Sequence, residues 1–231
     1  MDDNNKQRLN KFLALQLGIS RRQADDLIAS GKVTLNGQKA ELGARFLPTD
    51  DIKIGEKQVS TTAETYTYLL LNKPKNFVCS RKRQGDNETI YEILPKQFHN
   101  LKPVGRLDKD SSGLLILTND GDFAFQMTHP KFYKIKQYIV ELSEPLQPLH
   151  QQMISDFGID LPDGPSKLTL ESLDDSRKKW KVVMSEGRNR QIRRTFLALG
   201  YDVTYLHRTN FGAYILPEDL GLGEYILVDK K

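Results

Sequence analysis

The chain has 231 residues, 38% of them hydrophobic, with 34 Lys+Arg against 30 Asp+Glu and a formal net charge of +4. That length suits one large domain or a small domain joined to a medium one, with enough apolar residues for a core. Cys79 alone makes no internal disulfide framework. The four histidines are scattered, so no structural zinc site is expected, and no apolar run nears the roughly 18–20 residues of a membrane span.

The polar, acidic start Met1–Asn5 is unlike a secretory signal, and together with the lone cysteine it suits a cytoplasmic protein. From Leu9 the apolar residues Leu9, Phe12, Leu13 and Leu17 follow helical spacing up to Gly18. Ser20 is placed as an N-cap with Gln23 completing a capping box. Ala24, Leu27 and Ile28 give the next apolar stripe, and Gly31 falls where a C′ residue belongs. Val33–Leu35 reads as a strand, Asn36-Gly37 as a hairpin turn, and Asp51–Gly55 as another strand and its turn.

Two short helices followed by a hairpin, "RLNKFLALQLGISRRQADDLIASGKVTLNG", resemble the S4 RNA-binding module. Arg8, Lys11, Arg21, Arg22 and Lys32 lie near the helix ends, where cations and backbone N–H groups suit RNA phosphates. The expected organisation is an S4-like domain over 7–56, a polar Thr-rich linker over 57–66 and a second domain over 67–231.

In the second domain, Tyr68–Leu71, Leu114–Leu117, Tyr138–Val140 and Lys181–Met184 are strand candidates. Leu149–Phe157 and Arg190–Leu199 are helix candidates, and Ile192, Phe196 and Leu199 share one face of the latter. Strands and helices do not alternate strictly. The expected fold class is therefore α+β with a mixed, mainly antiparallel sheet. Cations cluster twice. Residues 177–194 hold eight of them against Glu186 alone, and Lys73, Lys75, Arg81, Lys82 and Arg83 form an acid-free group. Such clusters on a nearly balanced chain suggest a localised polyanion site, although solvated charged surfaces read the same way.

The most unusual stretch is Gly105–Gly113, a polar loop feeding directly into an apolar strand. Its ordinary reading is a strand entry built from Asx and Ser turns. A serine nucleophile is poorly supported without a G-x-S-x-G elbow. Asp108 and Asp110, with Asp174-Asp175, could instead bind magnesium in a phosphatase or glycosyltransferase. A third reading rests on resemblance. "GRLDKDSSGLLILTNDG" resembles the catalytic-loop motif of the pseudouridine synthases that modify ribosomal RNA. "NKPKNFVCS", with Asn76 where glycine is usual, "KQYIV", "EGRNRQIRR" and "LHRTNFGAYIL" resemble further motifs of that family, in the right order.

The resemblance implies isomerisation of a specific uridine, 23S RNA being favoured over 16S, with a flipped-out target nucleotide. It nominates Asp108 as the catalytic carboxylate, acting as nucleophile or ribose-activating base. It makes Tyr138 the surface on which the base stacks, and Arg193 the cation that keeps Asp108 ionised. Arg106 would fill the gap left by the base or hold phosphate, and Lys73 would support the pocket or touch the backbone. Arg188, Arg190 and Arg194 would contact phosphate. Without the resemblance, Arg193 reads as a solvated helix cation and Tyr138 as a core aromatic. Asp110 is expected to shape the loop, Cys79 to be buried and inert, and Trp180 and His207 to be structural. No metal or organic cofactor is implied. The partner is a structured RNA stem-loop, within or outside a ribosomal assembly particle, and a monomer is the default. The rival readings are an RNA-binding assembly factor without catalysis and the magnesium phosphatase.

Overall fold

The computed structural model describes residues 6–60, 66–83 and 85–231. Met1–Asn5 and residues 61–65 of the expected linker lie outside the described residues. The chain divides into two compact units, Met1–Tyr66 and Thr67–Lys231.

The N-terminal unit packs helix α1 (Leu9–Gln16) against helix α2 (Arg21–Ala29). Ser20 Oγ accepts from the Gln23 amide, and Gln23 Oε1 accepts from the Ser20 amide, so the capping box forms as the spacing predicts. Leu9, Phe12, Leu13, Ala24 and Ile28 meet Val33, Phe46 and Ile52 in a small core. Leu17, expected on the apolar stripe, instead caps α1 and is exposed. Asn36 (φ 52°) and Gly37 (φ 79°) both take the left-handed conformation that a type I′ hairpin requires. The four-stranded sheet extends to Lys57–Gln58, paired with Ile52–Ile54, and Val59 packs on the core. Residues 57–59, expected in the linker, thus belong to this unit, because their alternation continues the sheet.

In the C-terminal unit a nine-stranded sheet runs in the order Thr169–Ser172, Lys179–Met184, Lys136–Leu142, Val203–Phe211, Ser112–Thr118, Tyr68–Lys73, Tyr225–Leu227. Two short strands flank this path. Every pairing is antiparallel except one: Val203–Phe211 meets Ser112–Thr118 in parallel, over His207↔Ser112 and Arg208↔Gly113. The α+β fold with a mixed, mainly antiparallel sheet is the one expected. Leu114–Leu117 is continuous in hydrophobicity because both faces are covered. Leu115 and Leu117 face the larger core with Trp180, Val140 and Phe196; Leu114 and Ile116 face a second with Phe123 and Tyr214.

Helix α3 (Gly121–Thr128) is capped by Asp120, whose carboxylate accepts from the Asp122 and Phe123 amides. The stretch expected as one helix over Leu149–Phe157 is a short helix α4 (Pro148–Gln152) running into a π-helical turn, Met153–Phe157. Helix α5 (Gln191–Leu197) begins one residue later than predicted, because Arg190 sits in the left-handed region. Trp180 is fully buried, and its indole N–H donates to the Arg177 carbonyl, which satisfies its one polar atom. No helix among the described residues is long and apolar enough to cross a membrane.

Candidate active site

The loop Gly105–Ser111 closes with the Ser111 amide donating to the Asp108 carbonyl. It is braced from below by the residues around Pro74. Lys73 ends its strand fully buried, and its ammonium donates to the carbonyls of Ser111 (2.8 Å), Pro74 (3.0 Å) and Asp108 (3.2 Å). Desolvation pulls its pKa down to about 8, opposed by Cys79, Asp108 and Asp110. Of the two expected roles for Lys73, supporting the pocket or touching RNA, this geometry matches the first: its three hydrogen bonds go to two loop carbonyls and to Pro74. Asn76 adopts φ 75°, which explains its place where glycine is usual, since asparagine tolerates this region. Its amide donates to the Lys109 carbonyl at 2.7 Å. The Cys79 thiol, half-buried and raised in pKa by burial, exchanges hydrogen bonds with the backbone of Leu107.

A cleft of about 280 Å³ opens beside this loop. Asp108 is the one carboxylate among its lining residues, while Arg106, Lys136, Arg188, Arg190 and Arg208 supply cations. Leu107, Tyr138, Met184, Ile192, Leu206 and Phe211 form apolar wall. Tyr138 is buried and reaches this wall from the strand Lys136–Leu142, paired with Val182 on one side and Arg208 on the other.

The cation beside Asp108 is Arg190, at 3.9 Å, and not Arg193. Arg190 also grips Asp110 with two hydrogen bonds of 3.0 Å. Arg193 is half-buried behind the loop. Its Nε lies 3.3 Å from Asp110, and its Nη atoms donate to the carbonyls of Val203 and Asp110. The direct contact of Arg193 is with Asp110, and Asp108 acts on it only through charge, because Arg190, the residue before α5, is the one that lines the cleft. Burial opposes ionisation of Asp110, but hydrogen bonds from Arg190 and the charge of Arg193 outweigh it and hold its carboxyl below the usual range. The same pairing occupies the carboxylate that a magnesium site would have needed. Among the described residues no group of three His, Cys, Asp or Glu is placed to hold a metal ion.

Two further expected phosphate contacts have partners within the chain. Arg188 borders the cleft, yet its guanidinium donates to the carbonyls of Asp163, Gly164 and Pro165. Arg194 makes a double hydrogen bond to the Asp163 carboxylate. Both fasten the Ile159–Leu161/Gly164–Ser166 hairpin beside α5. Arg106 is exposed at the cleft, as a phosphate or gap-filling role requires. In the N-terminal unit Arg8, Arg21, Arg22 and Lys32 are exposed and Lys11 is half-buried.

Lys136 and Arg208 carried no assigned role before the structure. Lys136 donates to the Glu186 carbonyl at 2.9 Å and lies 5.5 Å from the Phe211 ring centre. Burial, and then the charge of Arg208, lower its pKa to about 8, while Glu186 acts to raise it. Arg208 is 2% exposed; its Nε donates to the Leu114 carbonyl, its guanidinium stacks 4.9 Å over Phe211, and its Nη2 has no hydrogen-bond partner. A signal for it existed in the alternation Leu206-His207-Arg208, which puts an arginine on the inward face of a strand. His207 points the other way, and its Nδ1 meets Ser112 Oγ at 2.9 Å.

A carboxylate among cations, beside apolar and aromatic wall, can hold a flat heterocycle on an anionic backbone. Comparison with known proteins says which reaction. Residues 67–198 match the family model for RNA pseudouridylate synthase, and residues 7–52 match the S4 domain. The chain belongs to the RNA pseudouridylate synthase family. It is 37% identical over 224 residues to the ribosomal small subunit pseudouridine synthase A of Haemophilus influenzae, covering 94% of both chains. It is 35% identical over 212 residues to the ribosomal large subunit pseudouridine synthase B of Bacillus subtilis, covering 89% of this chain and 85% of that one. A pseudouridylate synthase crystal structure superposes with a TM-score of 0.68 at 33% identity over 96% of both chains. This pseudouridine synthase therefore has both its S4 domain and its synthase domain represented in relatives of the same span. The synthase-family match ends at 198, before Arg208 and Phe211, so these two wall residues come from beyond the matched segment.

Proposed function

We propose that this synthase isomerises a uridine of ribosomal RNA with Asp108 as the reacting carboxylate. The observation that carries the reading is the position of Asp108 as the one carboxylate lining a basic cleft walled by Tyr138. In the reaction the N1–C1′ bond breaks, the base turns, and C5 bonds to C1′. C5 then loses its proton and N1 gains one, so atoms and charge balance. The target base leaves its stack first, because its reacting edge is otherwise covered.

Asp108 acts at the nucleotide, with the Arg190 guanidinium 3.9 Å from its carboxylate. Tyr138 supports the uracil ring, and its hydroxyl assists proton removal from C5. Arg106 contacts the RNA backbone or fills the vacated position. Arg193 is a positioning residue that acts through Asp110. Arg8, Lys11, Arg21, Arg22 and Lys32 of the N-terminal unit hold structured RNA. The large-subunit preference is retained as the first RNA to test, although relatives named for each subunit match at 37% and 35%.

The test maps pseudouridine in both ribosomal RNAs, naked and in partly assembled particles, with wild type and Asp108→Asn. The expected outcome is one uridine converted by wild type, and no conversion with retained RNA binding for the variant. Activity in Asp108→Asn would overturn the assignment, and RNA binding without conversion by wild type would mark a catalytically silent assembly factor.

A further inference from the structure

We propose that the segment Phe125–Lys136 is a second RNA-contacting surface. It would form a rim outside the cleft that stacks an unpaired base next to the target uridine and holds its phosphates. This rests on the proposed function above.

Four large apolar side chains stand exposed within eleven residues: Phe125 (48%), Phe132 (37%), Tyr133 (75%) and Ile135 (52%). They are organised. Phe125, His129 and Phe132 form a ring cluster with centres 4.8 to 6.4 Å apart. Lys131 Nζ sits 4.7 Å from the Phe132 ring centre and 5.3 Å from that of Phe125. Tyr133 is held at φ 46°, a conformation a bulky residue rarely adopts, with its amide donating to the Pro130 carbonyl. Left-handed backbone at an exposed aromatic stores strain that the core does not repay.

Charge and continuity choose the occupant. Lys131, Lys134 and Lys136 fall in this segment, and no Asp or Glu occurs between Asp122 and Glu141. Aromatic faces interleaved with acid-free cations match single-stranded nucleic acid better than an acidic or apolar protein face. The segment adjoins the cleft on both sides of its rings, since Thr128 and Lys136 line it. The catalytic loop also comes close here: a Cβ on Gly105 would lie 3.5 Å from Thr128 Cγ2. A strand leaving the cleft therefore crosses these rings.

The test uses the full chain and an RNA hairpin carrying the mapped uridine. Phe132→Ala and Tyr133→Ala are each expected to raise Kd and KM about tenfold, the loss of one base–aromatic stack, with kcat at saturating RNA unchanged. Tyr133→Trp is expected to retain wild-type affinity. Lys131→Gln should flatten the salt dependence of binding by about one counterion. Unchanged Kd and KM in the aromatic variants overturn the proposal. So does a variant that alters sedimentation of the free protein and leaves RNA affinity intact, which would make the patch a contact between copies. Wild type that converts no uridine refutes the function itself, a result distinct from active wild type with indifferent rim variants. A thermal melt of each variant separates lost folding from lost contact, and Lys131→Gln keeps the test open should an aromatic variant unfold.

Discussion

Two sets of cations in the C-terminal unit have opposite fates. The dense run Arg177–Arg194 is mostly consumed internally. Arg177 donates to the Leu146 carbonyl and Gln151, Arg188 to three carbonyls, Arg193 to two more, and Arg194 to Asp163. The cleft draws much of its charge from scattered positions, Arg106, Lys136 and Arg208, joined from the run by Arg190 and by Arg188, whose guanidinium is already bonded to three carbonyls. Charge density along a sequence therefore does not locate a binding field. What counts is which guanidinium hydrogens remain after the backbone has claimed its share.

The strongest way to break the cleft set is through backbone beneath Arg208. Gly113 sits at φ 105°, and a Cβ there would lie 2.3 Å from the Arg208 carbonyl oxygen and 2.5 Å from its nitrogen. Gly113→Ala is expected to cost about 3 kcal/mol or more in urea unfolding and to abolish turnover. Next in size is Arg190→Ala. Asp108 loses its near cation and Asp110 its clamp, so kcat should fall about five- to tenfold, discounted for the exposure of Arg190. Arg106→Ala should weaken RNA binding and reduce the slope of log affinity against log salt by about one. Arg194→Ala, from the consumed set, should leave that slope and the RNA affinity unchanged, with only a small drop in unfolding midpoint. Equal slopes in the two variants would erase the distinction.

The smallest expected effect is a pH dependence. Burial and Arg208 hold Lys136 at about 8, so its charge is present below that pH and lost as pH rises through it. RNA affinity should therefore decline between pH 7 and 9, and Lys136→Gln should remove that part of the decline. An unaltered profile in Lys136→Gln would assign the titration elsewhere, with buried Lys73 next in line at about 8.

Local signals were well legible in the sequence. Ser20 and Gln23 specify a cap within one turn, Asn36-Gly37 specifies a hairpin, and the apolar run Leu114–Leu117 announces a strand, which the structure covers on both faces. The motif Gly105–Gly113 also led to the cleft. What stayed hidden depends on rotation and distance in space. Arg190, Arg193 and Arg194 are near neighbours along the chain, and only the left-handed start of α5 decides which one meets Asp108. In the sequence Lys73 is open between pocket support and a backbone contact, because nothing local reveals that three carbonyls, two of them from residues 108 and 111, converge on its ammonium.

The one parallel pairing in the large sheet spans only His207↔Ser112 and Arg208↔Gly113, so the sheet is two half-sheets joined by a two-residue seam. Asp108 rides on one half, through the loop that enters Ser112–Thr118 and is pinned by Lys73. Tyr138 rides on the other, in the strand beside Val203–Phe211. The carboxylate and the aromatic ring that line the cleft are thus carried on opposite sides of that seam, within one compact unit. The ladder across the seam is short, so the spacing between them is set instead by side chains: the shared core of Leu115, Leu117, Val140 and Trp180, the Arg208 Nε–Leu114 bond and the contacts of Arg190 and Arg193 with Asp110.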